Sequence, residues 1–241
     1  MDKQIIGIIG GAGVAATNLL NTMVEEEITS RYGATRDCDH PEIISWQLTS
    51  APSRSMYYEG RGETFIPQYV KAAKILKDIG AKLILMNCNT AHCAFNEIKE
   101  QSDANIVNLI EETCKRVSLK KPRKIGLLVS DGLKKQRLYD RYLKFYCKNA
   151  QIVYPQEEFQ KLVTKGICNV KNKYRFTDSD NPNSPQYIFK TVVNELFDFG
   201  ANVVILGCTD IKVGFSYKDD KIVDSLEVMK DLIIEEYEKF K

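Results

Sequence analysis

No stretch of the sequence approaches the roughly 18 consecutive apolar residues that a membrane span needs. No charged segment followed by a long apolar one stands before the first strand-like run, so neither a membrane protein nor a signal peptide is expected. Cys-x-x-Cys pairs are absent. Zinc sites usually need three or four closely spaced protein ligands, and the nearest approach is Cys88 with His92, four residues on, so no metal is expected. The seven cysteines are an odd number without disulfide-framework spacing, which points to a reducing cytoplasm. A surplus of either charge is also missing. The 34 Lys and Arg against 32 Asp and Glu leave a formal net charge of +2, and Pro122 interrupts the one short basic run, Lys120 to Lys124. No nucleic-acid partner is implied. Low-complexity tracts and long linkers are absent as well.

What remains is an ordinary globular chain of 241 residues, 44% hydrophobic and 27% charged. Its informative property is that it repeats. Ile6-Gly7-Ile8-Ile9 runs into Gly10-Gly11-Ala12-Gly13, and Ile125-Gly126-Leu127-Leu128-Val129 runs into Ser130-Asp131-Gly132, with the matching glycines 119 residues apart. Ile79-Gly80-Ala81 precedes Lys82 to Met86 and then Asn87-Cys88-Asn89-Thr90. Phe199-Gly200-Ala201 precedes Asn202 to Leu206 and then Gly207-Cys208-Thr209, with the cysteines 120 residues apart. Two independent motif pairs agree on the offset to within one residue, which predicts two structurally similar halves.

The apolar runs are short, β-branched and bounded by glycine, as buried parallel strands are. Ile75, Leu76 and Ile79 share one helical face, and so do Val192, Val193, Leu196 and Phe197. Gly80 and Gly200 stand where left-handed helix C-caps belong, and Ser184-Pro185 opens a helix. The expected fold is therefore α/β, with a parallel sheet in each of two halves.

Ligands bind beyond the carboxyl ends of strands in such sheets. Cys88 and Cys208 both follow a strand and precede a helix, where free N–H groups and the helix dipole favour a thiolate and can hold a carboxylate. Taken alone, Cys88 is as readily a small buried hydrophobe as a reactive group. The matched Cys208 shifts the reading toward chemistry. Cys38, Cys93, Cys114, Cys147 and Cys168 are read as buried hydrophobes. The loop Gly10 to Gly13 can be taken as a dinucleotide cradle, but Ala16 stands where a third glycine is needed. It can equally hold a carboxylate on its backbone N–H groups.

These residues carry a resemblance. Met86-Asn87-Cys88-Asn89-Thr90-Ala91-His92 and Leu206-Gly207-Cys208-Thr209-Asp210-Ile211 are similar to the two cysteine motifs of the aspartate/glutamate racemase family, over nearly the whole chain. Asp210 stands where Glu is more usual in the family, Val14 where Pro is, and Ser130-Asp131-Gly132-Leu133 where Thr-x-Gly-Thr is. The resemblance implies two α/β domains facing across a cleft, residues 1–118 with 214–241 forming the first and 119–213 the second. The last helix would return to the first domain on a stripe of Leu226, Met229, Ile233 and Tyr237. It also implies a homodimer, and racemisation without pyridoxal phosphate or any other cofactor, Cys88 and Cys208 acting as acid and base on opposite faces of the substrate. Arg54, in Pro52-Ser53-Arg54, and Lys165 would meet the side-chain carboxylate. Asn89, Thr90 and Thr209 would hold the α-carboxylate, with Gly11 and Ser130 as further substrate contacts and His92 in support. A related isomerase or lyase, a broad-specificity amino-acid racemase, and a non-enzymatic binding module remain as alternatives.

Overall fold

The glycine-bounded apolar runs form parallel strands in the computed structural model, which describes residues 4–239. The first half contains β1 (Ile5–Gly10), α1 (Val14–Tyr32), β2 (Glu42–Gln47), α2 (Arg54–Glu59), α3 (Ile66–Asp78), β3 (Ala81–Met86), α4 (Phe95–Ser102) and α5 (Leu109–Leu119). The second contains β4 (Lys124–Leu128), α6 (Asp131–Gln136), α7 (Leu138–Tyr146), β5 (Gln151–Val153), α8 (Glu157–Asn169), α9 (Pro185–Asp198), β6 (Val203–Leu206), α10 (Thr209–Gly214) and β7 (Ile222–Asp224), and α11 (Ser225–Glu238) ends the chain's described part. Each half is an α/β unit with a parallel sheet, in the strand orders β2-β1-β3 and β5-β4-β6-β7. An isolated parallel bridge from Ile84 to Ile106 stands in the first half where β7 stands in the second.

The repeat extends to registers and packing. Gly7 lies between Ile44 and Ile84, and Gly126 between Val153 and Val204. A Cβ on Gly7 would meet Leu76 at 3.1 Å, and one on Gly126 would meet Leu196 at 2.9 Å. The glycine at the centre of each sheet thus lets the covering helix, α3 or α9, press a leucine onto the strand. Gly80 and Gly200, with φ of +96° and +83°, turn the chain out of those helices in the left-handed region. Ser184 caps α9 by accepting from the Tyr187 N–H, and Pro185 takes the first helical position.

The inner strands β1, β4 and β6, and β3 beside β1, are buried on both faces, as their unalternating apolar sequences require, while the edge strands β2 and β5 are partly exposed. One core cluster fills the space between the sheets, where Ile8 and Leu85 share neighbours with Leu127 and Ile205 through α1, α5, α7 and α11. Two outer clusters lie under α3 and under α8 and α9. Helix α11 packs on α1 and α5, burying Leu226, Met229 and Ile233 fully and Tyr237 in part. Among the described residues, no helix is long and apolar enough to cross a membrane.

Three expectations need correction. Residues 222–224 extend the second sheet by pairing with β6, so the return to the first half begins at Ser225 and not at 214. On α3, Leu76 is buried but Ile75 and Ile79 are exposed, because α3 turns the face of Tyr69, Val70, Ala73 and Leu76 to the sheet. Cys38 and Cys168 are exposed and Cys93 is half-buried, and only Cys114 and Cys147 of that group are buried.

Candidate active site

Strands β3 and β6 end at Met86 and Leu206, and two residues later each chain reaches its cysteine in extended backbone. Cys88 caps the 3-10 turn Asn89–Ala94, and Cys208 caps α10. Both thiols are free. Cys88 is 8% exposed, and Cys208 is half-buried. Burial pushes the Cys208 thiol well above its ordinary value. The Asp210 carboxylate adds to that shift, while Lys171 and the Asp210 backbone N–H at the Cys208 sulfur oppose it. The charge of Cys88 adds the smallest of these effects, also upward.

Cys88 has different company. Ser53 caps α2, and Arg54 opens it. The Arg54 Nη1 donates to the Ala51 and Pro52 carbonyls at 3.2 and 2.9 Å, and its Nε has no partner. Burial would lower the guanidinium pKa, but the charges of Cys88, Tyr69 and Asp210 and a hydrogen bond to Cys88 outweigh it, and the net shift is upward. Arg54 is therefore a cation fastened to its own loop and held beside a sulfur. Tyr69, fully buried on α3 with an unpartnered hydroxyl, faces the same pair.

A cavity of about 570 Å³ opens between the glycine loop, Arg54, Asp210 and the segment after α8 that carries Lys171 and Arg175. Lys171 pairs with Asp210 at 3.0 Å. Gly11 lines this cavity with φ at +79°, its N–H donating to Thr17 Oγ1 at 3.1 Å. Of the expected site residues, only Gly11 and Arg54 line this cavity, and Cys88 and Cys208 lie behind its wall, next to Arg54 and Asp210. Another cavity, of about 320 Å³, lies at the opposite, amino-terminal edge of the first sheet, beside Tyr32 and His40.

The other expected residues divide into two groups. Thr90 and Ser130 come together across the halves, their hydroxyls 2.9 Å apart, and Ser130 also caps α6. Thr209 donates across the halves to the Asn87 carbonyl at 3.5 Å. The Asn89 amide is committed to structure, donating to Ser225 Oγ at 2.8 Å and accepting from the Tyr139 hydroxyl at 2.7 Å. His92 lies 2.9 Å from the Cys88 carbonyl through Nδ1, and burial lowers its pKa to about 4, which keeps it neutral. Lys165 sits on the exposed face of α8 and does not line the cavity. The cation that does is Lys171, six residues on. Sequence reasoning missed Lys171 and Arg175, which belong to no motif. It quoted Asp210 only as a departure within the second cysteine motif. Tyr69 had a signal, since Phe189 stands 120 residues later and makes the hydroxyl a difference between the halves.

Comparison with known proteins accords with this geometry. A family described as Asp/Glu/hydantoin racemase matches residues 5–228. A broad-specificity amino-acid racemase of Bacillus subtilis (strain 168) is 24% identical over 223 residues, 90% of each chain. The structure of the Picrophilus torridus aspartate racemase superposes with a TM-score of 0.82 at 25% identity, covering 98% of this chain and 94% of the other. A glutamate racemase of Francisella tularensis solved with D-glutamate shares the fold at a TM-score of 0.62 and 19% identity, covering 99% of this chain and 83% of the other.

Proposed function

The chain belongs to the Asp/Glu/hydantoin racemase family, and from that premise we propose that it inverts the α-carbon of acidic amino acids by a two-base mechanism using Cys88 and Cys208. The observation that carries this reading is the placement of two free thiols at equivalent strand ends of the two halves, on segments that meet where Thr209 donates to the Asn87 carbonyl. They stand beside a cavity that Arg54, Lys171 and Arg175 make cationic.

A thiolate on Cys88 would have the Arg54 guanidinium as its counter-charge. Cys208, raised by burial, rests as the thiol and is the ready acid. The Cys88 sulfur takes the α-proton and becomes a thiol. The C–H electron pair moves toward the α-carboxylate, and Cys208 gives its proton to the opposite face of the carbon and becomes a thiolate. The opposite enantiomer reverses both roles. Free N–H groups at the starts of the 3-10 turn and α10, with Thr90, Ser130 and Thr209, would hold the carboxylate as its charge grows, the moment at which fixed dipoles lower a barrier most. No step requires a cofactor.

Arg54 favours a second reading of the specificity. Its Nη1 already donates to two loop carbonyls, which leaves the Nε edge as its one fork for a side-chain carboxylate, and a broader amino-acid range follows if neither that edge nor Lys171 supplies the contact. A chiral assay without added cofactor, on a panel of L-amino acids, separates the two. Aspartate or glutamate should be turned over fastest, and comparable rates on neutral amino acids would favour the broad reading. Cys88→Ala and Cys208→Ala should each abolish racemisation in both directions. Each variant should still exchange the α-proton of one enantiomer in D2O, and near wild-type racemisation by either would remove that sulfur from the mechanism.

A further inference from the structure

An amino acid brings an ammonium group as well as carboxylates, and a cavity ringed with cations must place it somewhere. Among the described residues lining the cavity, Asp210 is the one carboxylate. It is 2% exposed. Its Oδ2 is paired with Lys171 Nζ at 3.0 Å, while its Oδ1 is buried and has no hydrogen-bond partner. An unmet carboxylate oxygen in a buried position is costly unless something donates to it.

The surroundings are shaped to that oxygen. A Cβ on Gly13 would stand 1.9 Å from Oδ1, so the glycine loop is bare where the carboxylate approaches it. Asp210 lies two residues past Cys208, and its own backbone N–H reaches the Cys208 sulfur. A group held on Oδ1 is therefore held beside one of the two sulfurs. Burial raises the Asp210 carboxyl pKa, and the positive charges of Lys171, Arg54 and Arg175 oppose that shift.

We propose that Asp210 receives the substrate's α-ammonium group on Oδ1, with Lys171 retained on Oδ2, and so selects amino acids against dicarboxylates that lack the amine. The inference rests on the racemase reading and adds a contact to it. The ammonium on Asp210 seats the α-carbon against Cys208, and the carboxylate repels an anion that offers no ammonium in return.

The test compares an amino acid with its desamino analogue: L-aspartate with succinate, or L-glutamate with glutarate. In the wild type the amino acid should bind more tightly than its analogue by roughly 10- to 100-fold, the range expected of a charged hydrogen bond. Equal affinity overturns the proposal without any variant. In Asp210→Asn, KM for the amino acid should rise by a similar factor with a smaller change in kcat, while Ki for the analogue stays level or falls. Asp210→Glu, which restores the charge, should recover part of the preference for the amine. If Asp210→Asn weakens both ligands equally, Asp210 is only structural and the racemase reading stands. A wild-type enzyme that racemises no amino acid removes the racemase reading, and the proposal falls with it.

Discussion

Asp224→Asn should gain stability over the wild type as pH rises from about 4 to about 7 and hold that gain above it. Asp224 ends β7 almost fully buried and caps α11, its Oδ1 accepting from the Leu226 N–H at 2.7 Å while its Oδ2 has no partner. Burial lifts its carboxyl pKa from the model-compound 3.8 to about 7, and the Glu227 charge adds to this. The capping N–H groups and Lys212 oppose it. The folded-state pKa is raised, so the folded chain binds a proton that the unfolded chain releases, and stability falls as pH rises from about 4 to about 7. Each unit costs about 1.4 kcal/mol, so the step from pH 5 to pH 7 costs about 3 kcal/mol. Asparagine cannot ionise, yet it can make the cap. Asn108 does so at the corresponding place in the first half, accepting from the Ile110 and Glu111 N–H groups at 3.1 and 3.2 Å. Urea unfolding of both proteins at pH 5 and pH 8 reads the effect. The variant's advantage over the wild type should be about 3 kcal/mol larger at pH 8, and the His92 contribution cancels because both proteins carry it. An advantage that is the same at both pH values refutes the reasoning, since the buried carboxyl would then titrate alike in the folded and unfolded chains.

Two further outcomes follow from the cavity. Gly13→Ala pushes a methyl group against Asp210 Oδ1. It should raise KM for the amino acid about tenfold or more and lower the thermal midpoint too, because the buried, ion-paired Asp210 must shift to make room. An unchanged KM would mean that the loop yields freely. Lys171→Met should raise KM for an acidic amino acid by about tenfold while Lys165→Met changes it little, and steady-state kinetics with the reverse order would restore Lys165 as the substrate contact.

The fold was legible because backbone necessity writes itself locally. Gly7 and Gly126 must lack side chains for Leu76 and Leu196 to reach the strands, and Gly80 and Gly200 must take left-handed φ, so four glycines and two cysteines at offsets of 119 and 120 residues disclose the duplication. β7 escaped notice because Ile222-Val223-Asp224 is three residues long, and its identity as a strand depends on β6 lying beside it. On α3, helical spacing grouped Ile75 and Ile79 with Leu76, but spacing gives only a face. The sheet chose which neighbours of Leu76 to bury. In the site, Cys88 and Cys208 carried a signal because their motifs are short and contiguous. Lys171 and Arg175 carried none, since they reach the cavity through the turn after α8, and such a turn has no pattern that singles out one lysine over Lys165. The Asn89 amide had the right motif position, but its partners Tyr139 and Ser225 come from the second half and from α11, beyond the reach of local reading.

A duplicated scaffold supplies two sulfurs in like positions, but two like sulfurs do not make an acid and a base. If both carried the same charge at rest, either no thiolate would be present to take the proton or no thiol to return one. The halves differ where that ambiguity would arise. Beside Cys88 stand Arg54 and the Tyr69 hydroxyl, and 120 residues after Tyr69 the second half has Phe189. Beside Cys208 stand Asp210 and Lys171, and 120 residues before Asp210 the first half has the uncharged Thr90. The carboxylate favours the thiol at Cys208, and the guanidinium offers a counter-charge at Cys88. In the proposed mechanism the duplication fixes where the two protons are exchanged. The departures from it, with the burial of Cys208, favour Cys208 as the sulfur that begins that proposed cycle holding one.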